Sequence, residues 1–192
     1  MSVKDFVQQR RDEFIAMRRD FHMYPEPAWL EYRSAAKVAE KLIALGYDVA
    51  LGEDVLDLDS RMGLPSEDVM KAAMARAMDE GADPELVEKM GYGKTAIVAT
   101  MKFSDDGPVV AFRADMDSND VIESKASNHI PAKAGFRSRH DKAMHACGHD
   151  THMTMGLGLA EYIATHKDGL KGSIKLIFQP AEEGVRGAKA MV

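Results

Sequence analysis

The residues of this 192-residue chain that are best suited to chemistry lie in three short segments. The first segment, 144–152, holds three histidines and the only cysteine. If its backbone is extended from His145 to His149, Cys147 and His149 share one face, because side chains two residues apart point the same way. A thiolate and an imidazole suit Zn²⁺, and imidazole also suits Mn²⁺, Co²⁺ or Ni²⁺. The segment therefore predicts a metal site.

Other residues of this segment leave alternatives open. Asp150 precedes an apolar helical stretch, so it is predicted either to cap that helix or to orient a ligand histidine. His152 lies one turn into the helix and is expected beside the ligands, as is His145. A rival interpretation is a Cys–His nucleophile pair that needs no metal. The remaining alternative, a structural cysteine among surface histidines, fits poorly with so dense a cluster.

The second segment, 179–184, reads Gln-Pro-Ala-Glu-Glu-Gly and follows an apolar strand. Open α/β sheets bind ligands at this end of their strands. Neighbouring carboxylates in a loop point in different directions, so one of Glu182 and Glu183 can bind a metal while the other takes a proton from water. Read alone, such a pair is more typical of a solvated surface.

The third segment, 113–117, places Asp115 and Asp117 two residues apart at the end of another apolar strand. They are predicted to bind metal or to hold a ligand histidine in place. A helix cap or a turn is an equally good interpretation of this segment alone. The convergence of three such segments is what favours a two-metal hydrolase, which needs ligands on each ion and a base.

Helical and strand patterns alternate along the chain and predict an α/β sandwich. Helices are expected over 3–21, 35–45, 151–166 and from 185 to the end at 192, and strands over 47–51, 96–101, 109–113 and 174–179. The stretch 121–139 has no period and is expected to be a loop. A pair of surface helices, with Ser66 and Asp83 as N-caps, is predicted in an acidic insertion at about 53–93.

Composition excludes several classes of protein. The net charge of −6 and the absence of a Lys/Arg block argue against a nucleic-acid or membrane partner. The N-terminus lacks an apolar signal segment, and the single cysteine excludes an internal disulfide. We therefore expect a cytoplasmic protein.

The three segments together resemble the signature of the aminoacylase/carboxypeptidase metallopeptidase family. The likeness is to its cysteine-containing amidohydrolase branch, which includes hippurate and auxin-conjugate hydrolases. The insertion, with Asp-Ser-Arg-Met-Gly-Leu-Pro at 59–65, is similar to that of the p-aminobenzoyl-glutamate hydrolases within the branch. His22, Glu26 and Glu31 also match the branch, although the resemblance assigns no role to His22 or Glu26.

The resemblance implies a fold and a function. The fold is a three-layer α/β/α zinc-peptidase-like sandwich with a mixed sheet, here incomplete. The function is metal-dependent hydrolysis of the amide bond of a small N-acyl amino acid, such as p-aminobenzoyl-glutamate. The cofactors are two divalent metal ions, Zn²⁺ or Mn²⁺, with Co²⁺ or Ni²⁺ as alternatives.

The same resemblance implies a role for each site residue. Cys147 corresponds to a ligand that bridges the two ions, and His149 and Glu183 to terminal ligands. Glu182 corresponds to the general base, and Asp117 to an aspartate behind the ligands. Asp115 stands where many relatives outside the branch have a ligand histidine.

Family members are about twice as long as this chain, so residues 1–192 are expected to be the N-terminal part of the catalytic domain. Two histidine ligands, a dimerisation domain and the C-terminal part of the catalytic domain are expected to lie outside it. Complete relatives are expected to form dimers or to pair with a second homologous subunit. We therefore expect the 192-residue chain to be inactive alone; a truncated module that binds metal or a partner without catalysis is the alternative.

Overall fold

The computed structural model describes residues 1–192 and contains one mixed four-stranded sheet. Its strands, in the order β1-β2-β4-β3, are β1 (Asp48–Leu51), β2 (Ile97–Lys102), β3 (Val109–Asp115) and β4 (Ser173–Gln179). Strand β2 is antiparallel to β1 and to β4, whereas β3 and β4 are parallel. The predicted α/β class with a mixed sheet is confirmed.

Seven helices accompany the sheet: α1 (Val3–Gln9), α2 (Arg11–Met23), α3 (Tyr32–Ala44), α4 (Glu67–Asp79), α5 (Pro84–Lys89), α6 (Ile130–Lys133) and α7 (His149–Thr165). The single helix predicted over 3–21 is divided at Arg10 into α1 and α2. The division lets α1 contact α7, where the ring of Phe6 packs edge-on against Tyr162. No helix combines the length and the apolar character needed to cross a membrane.

Helices α3 and α7 contact each other and cover one face of the sheet. Alternate strand residues such as Ala99, Leu176 and Phe178 are buried on that face, as the two-residue period of a strand requires. Gly156 lets α7 approach closely, because a Cβ there would lie 2.9 Å from the ring of Phe178. The opposite face of the sheet is exposed at positions such as Lys175.

A buried carboxylate fixes the start of α3. Glu26 is fully buried, and its two oxygens accept the backbone N–H groups of Arg33 and Ser34 at 2.9 and 2.7 Å. These N–H groups are left without helical partners in the first turn of a helix. Glu26, which the sequence left without a role, therefore anchors the helix that covers β1 and β2. The helix ends before Gly46, whose φ of 82° is left-handed.

The insertion forms the predicted helix pair, α4 and α5, with Ser66 and Asp83 at the N-cap positions. The prediction that these helices lie on the surface is only partly right. Both pack against α3, and Met70, Val87 and Met90 join the main core. Apolar residues at helical spacing in the insertion are therefore core residues.

The helix predicted from residue 185 onward is wrong. A turn precedes a short 3₁₀ helix at Ala188–Met191, because the carbonyl of Ala181 accepts the N–H groups of both Arg186 and Gly187. The carbonyl of Ala190 then accepts the N–H of Asp57 at 2.7 Å. The segment that follows the Glu182–Glu183 pair is therefore turned back onto the insertion.

Candidate metal centre

The parallel pairing of β3 and β4 brings two of the three segments together. Asp115 pairs with Gln179 at the carboxyl ends of these strands, and Asp117 and Glu182 lie just beyond them. Helix α7 packs on β3 and begins at the same edge of the sheet. The three segments that the sequence singled out therefore meet at one end of the sheet.

Three side chains at this edge form a cluster that could hold a metal ion. The thiol sulfur of Cys147, an imidazole nitrogen of His149 and a carboxylate oxygen of Glu183 all lie within 4.8 Å of one another. His149 is buried, whereas Cys147 is exposed. The Oε1 atom of Glu183 is buried and has no hydrogen-bond partner. Such an oxygen is costly unless something pairs with it.

The path of the chain between Cys147 and His149 differs from the predicted one. The segment is not extended, because Gly148 adopts a left-handed φ of 94° and forms the N-cap of α7, which begins at His149. The two side chains still converge. The left-handed turn at Gly148 therefore brings Cys147 and His149 together, as an extended backbone was expected to do.

A backbone contact aims the ring of His149. Its Nδ1 atom donates to the carbonyl of Asp117 at 2.7 Å, so Nδ1 carries the proton. The Nε2 atom then faces the acid pair, 3.7 Å from Glu182 Oε2 and 4.0 Å from Glu183 Oε1. Once the ring is neutral, this tautomer leaves the Nε2 lone pair available to a metal.

Asp117 organises the acid pair from behind. It is fully buried, and its two oxygens accept the backbone N–H groups of Glu182 and Glu183, each at 2.9 Å. Its Oδ1 also lies 3.5 Å from His149 Nδ1. One carboxylate thus fixes the turn that carries both glutamates and the ring that faces them.

The local charge favours a cation. Partial desolvation and the nearby Glu183 and Glu182 carboxylates raise the pKa of the Cys147 thiol. Burial would lower the pKa of His149, but its bonds to Asp117 and the charges of Asp117 and Asp115 raise it to about 9. Concentrated negative charge contributes to both pKa shifts, and a divalent ion would offset that charge.

Asp115 and His152 form a second layer beside His149. His152 stacks on His149 with ring centroids 5.2 Å apart, and its Nδ1 lies 3.4 Å from Asp115 Oδ2. Asp115 also pairs with Arg113 at 2.6 Å. Side-chain atoms of Asp115, His149 and His152 that could bind a metal lie within 4.8 Å of one another, so this second group shares His149 with the first.

Neither role predicted for Asp150 is correct. Gly148 is the N-cap, and Asp150 lies in the first turn of α7, where it bonds to His22 rather than to a ligand histidine. His145 is buried, and neither of its ring nitrogens has a partner. Burial lowers the pKa of His145 to about 4, so its ring is neutral at physiological pH.

Sequence reasoning missed two residues that shape the site. Asn119 Oδ1 accepts the N–H groups of Cys147 at 3.0 Å and Ala146 at 3.2 Å. Buried Glu31 accepts the N–H of Ala181 at 2.8 Å and the Thr95 hydroxyl at 2.7 Å. Burial and the nearby Asp117 raise the pKa of Glu31 to about 8. The place of Asn119, two residues after Asp117, was a usable signal, whereas Glu31 has only its match to the branch.

Comparisons with known proteins agree with this geometry. Residues 111–192 match the profile of peptidase family M20/M25/M40. The chain is 48% identical over 190 residues to an indole-3-acetyl-aspartic acid hydrolase of Enterobacter agglomerans, covering 99% of the chain and 44% of that relative. It is also 48% identical over 191 residues to a p-aminobenzoyl-glutamate hydrolase subunit of Escherichia coli K12, covering 100% of the chain and 44% of that protein.

Two crystal structures share the fold. An aminobenzoyl-glutamate utilization protein from Klebsiella pneumoniae superposes with a TM-score of 0.82 at 40% identity, over 100% of this chain and 42% of that one. A dinuclear metal-binding peptidase of the M20 family from Bacillus subtilis gives 0.63 at 30% identity, over 96% and 38%. The chain thus spans less than half the length of these relatives. The resemblance drawn from the three motifs is confirmed, because residues 111–192 match peptidase family M20/M25/M40 and nearly the whole chain is similar to these hydrolases.

Proposed function

We propose that this chain supplies the thiolate, imidazole and carboxylate of a two-ion amidohydrolase centre. The observation that carries the proposal is the meeting of Cys147, His149 and Glu183 within 4.8 Å. Ligands at about 2.0–2.3 Å from one Zn²⁺ stand about 3–4 Å apart, so only small side-chain movements are needed. The unpartnered Glu183 Oε1 and the free Nε2 of His149 fit that role. This donor set suits Zn²⁺ or Mn²⁺, with Co²⁺ and Ni²⁺ as alternatives.

Each residue then has one task. Cys147, His149 and Glu183 would hold the divalent ions. Glu182, partly exposed beside His149, takes a proton from the attacking water and gives it to the leaving amine nitrogen. Asp117 holds Glu182, Glu183 and His149 in these positions. Bound divalent ions would supply Lewis acidity that polarises the amide carbonyl and acidifies water at neutral pH.

The names of the relatives point to the substrate class. Indole-3-acetyl-aspartate and p-aminobenzoyl-glutamate are both amides in which an acidic amino acid carries an aromatic acyl group. The whole protein is therefore proposed to hydrolyse N-acyl amino acids, with p-aminobenzoyl-glutamate as the first substrate to test. A second homologous subunit is the proposed partner, because the name of one relative describes it as one subunit of its enzyme.

The rival Cys–His amidase is disfavoured by the surroundings of the thiol. A nucleophilic cysteine needs a lowered pKa, usually from a cationic neighbour. Partial desolvation and the Glu183 and Glu182 carboxylates instead raise the pKa of the Cys147 thiol. A cation on the cluster, rather than a free thiolate, fits this environment.

Activity is tested by joining this chain to the part of the Escherichia coli relative that it does not cover. With added Mn²⁺ or Zn²⁺, the joined protein is expected to hydrolyse p-aminobenzoyl-glutamate, and Glu182→Gln is expected to lower kcat by a hundredfold or more. The 192-residue chain alone is expected to show no turnover, since three protein ligands cannot complete two four-coordinate ions.

The control for the chimera is the exposed Asp120→Ala variant, which should keep full activity. Circular dichroism and metal content establish that each variant is folded and loaded. Near-full activity in folded, metal-loaded Glu182→Gln would refute the base assignment, and turnover by the 192-residue chain would refute the need for outside ligands.

A further inference from the structure

A buried charge cluster joins α2, α7 and the long segment between β3 and α7. Its centre is His22, which is only 2% exposed and lies between the equally buried Asp150 and Glu123. The ring donates from Nδ1 to Asp150 Oδ2 at 2.7 Å and from Nε2 to Glu123 Oε1 at 3.0 Å. Because ionised carboxylates only accept hydrogen bonds, both ring nitrogens carry protons and His22 is a cation.

Other contacts close the cluster from water. Arg18 Nε approaches Asp150 Oδ2 at 2.9 Å, and His129 Nε2 approaches Glu123 Oε1 at 2.8 Å. The ring of Phe136 packs edge-on against His22 with centroids 5.6 Å apart. Burial alone would lower the pKa of His22, but the hydrogen bonds to Asp150 and Glu123 raise it. Removing one partner of such a buried pair or triad strongly destabilises a protein, because it leaves the other charge buried and unpaired.

The cluster holds the ligand-bearing segment at both ends. Before Cys147, Glu123 Oε2 accepts the backbone N–H of Ser138, whose hydroxyl donates to the carbonyl of Ala143 at 2.8 Å. After Cys147, Asp150 follows His149 directly in the first turn of α7. The stretch that carries Cys147 and His149 is therefore held on one side by Glu123 and on the other by Asp150. Both carboxylates bind the imidazole of His22.

We propose that His22 is a positioning residue for the metal ligands Cys147 and His149, acting through Glu123 and Asp150. This inference rests on the proposed function, since it concerns the geometry of the same centre. His22 touches neither ion nor substrate. Its role is to keep the thiol and the ring at one separation, so that the ions meet a preformed site. Outer contacts of this kind commonly change metal affinity by about 10–100-fold.

The test uses Co²⁺ with the 192-residue chain, because a Co²⁺–thiolate contact gives a near-ultraviolet charge-transfer band. His22→Ala is expected to weaken Co²⁺ binding about tenfold and to lower or shift that band at saturating Co²⁺. The matched control is Leu42→Ala, a cavity variant near the C-terminus of α3. It should lower the thermal midpoint yet keep the Co²⁺ affinity and band of the wild type.

Each outcome decides the inference. His22→Ala with wild-type affinity and an unchanged band would overturn it and leave the proposed function intact. Wild-type protein that binds no Co²⁺ would overturn the proposed function and this inference together. If His22→Ala does not fold, the near-isosteric Glu123→Gln decides. A several-fold loss of affinity with an altered band supports positioning, and an unchanged affinity contradicts it.

Discussion

Zinc affinity of this chain is expected to rise about a hundredfold for each pH unit between about pH 6.5 and 8.5. In the metal-free protein, the pKa of His149 is about 9 and the pKa of Cys147 is raised above its usual value. Both residues are therefore protonated over this range. Both must lose a proton to bind a metal. Two protons released for each ion bound give the steep dependence.

Calorimetric titration with Zn²⁺ in buffers of different ionisation enthalpy counts these protons directly. His149→Gln removes one of the two titrating ligands, so the release should fall to about one proton for each ion. Zinc binding with no proton release in the wild type would show that neither side chain is a ligand.

The stability of the metal-free chain should fall as the pH rises, whereas its zinc affinity rises. The pKa of His149 is raised from 6.5 to about 9 on folding. Its favourable contribution is therefore complete below about pH 6.5 and is lost as the pH rises through about 9. Glu31, whose pKa is raised to about 8, acts in the same direction. In heating scans, the unfolding temperature of the metal-free chain should fall as the pH rises, whereas that of the zinc-bound chain should rise.

Asp117→Ala is expected to destabilise the chain by about 3 kcal/mol and to weaken metal binding about a hundredfold. The substitution leaves the N–H groups of Glu182 and Glu183 without their charged acceptor, and both bonds are 2.9 Å long. It also removes the carboxylate beside the ring of His149. Urea unfolding measures the first effect, and Zn²⁺ titration of the folded protein measures the second.

Two further variants sharpen the Asp117 prediction. Asp117→Asn keeps the shape but offers only one acceptor to two N–H donors, so it should recover only part of the loss. Asp120→Ala, at an exposed position three residues later, should match the wild type in both measurements. An Asp117→Ala protein with wild-type stability and zinc affinity would show that the turn does not depend on this carboxylate.

The convergence of the three segments could be predicted from sequence because it follows from one rule. Polar residues at the carboxyl ends of neighbouring strands meet at one edge of a sheet, and Asp115 and Gln179 are direct partners across β3 and β4. The apolar runs also predicted the bounds of all four strands to within two residues. Strong local patterns that agree with the final packing are easily predicted.

The errors arise where long-range contacts override local pattern. Asp150 has the position of a capping residue, yet it bonds to His22, 128 residues away in the chain. Glu123 lies in a stretch without periodicity, and its partner His22 is 101 residues distant. With Gly148 left-handed, α7 begins at His149 rather than at Thr151. A turn replaces the expected final helix, because the N–H groups of Arg186 and Gly187 both bond to the carbonyl of Ala181. The two contacts of His22 leave no mark in local sequence, whereas the features at Gly148 and Ala181 are local.

One cobalt titration tests the central claim that Cys147, His149 and Glu183 hold a divalent cation together. With the wild-type chain at pH 8, we expect saturable Co²⁺ binding with a near-ultraviolet thiolate band. Cys147→Ser should abolish the band, and Glu183→Gln should weaken binding. Stoichiometric Co²⁺ binding by Cys147→Ser with wild-type affinity, or wild-type binding without the band, would contradict the assigned centre.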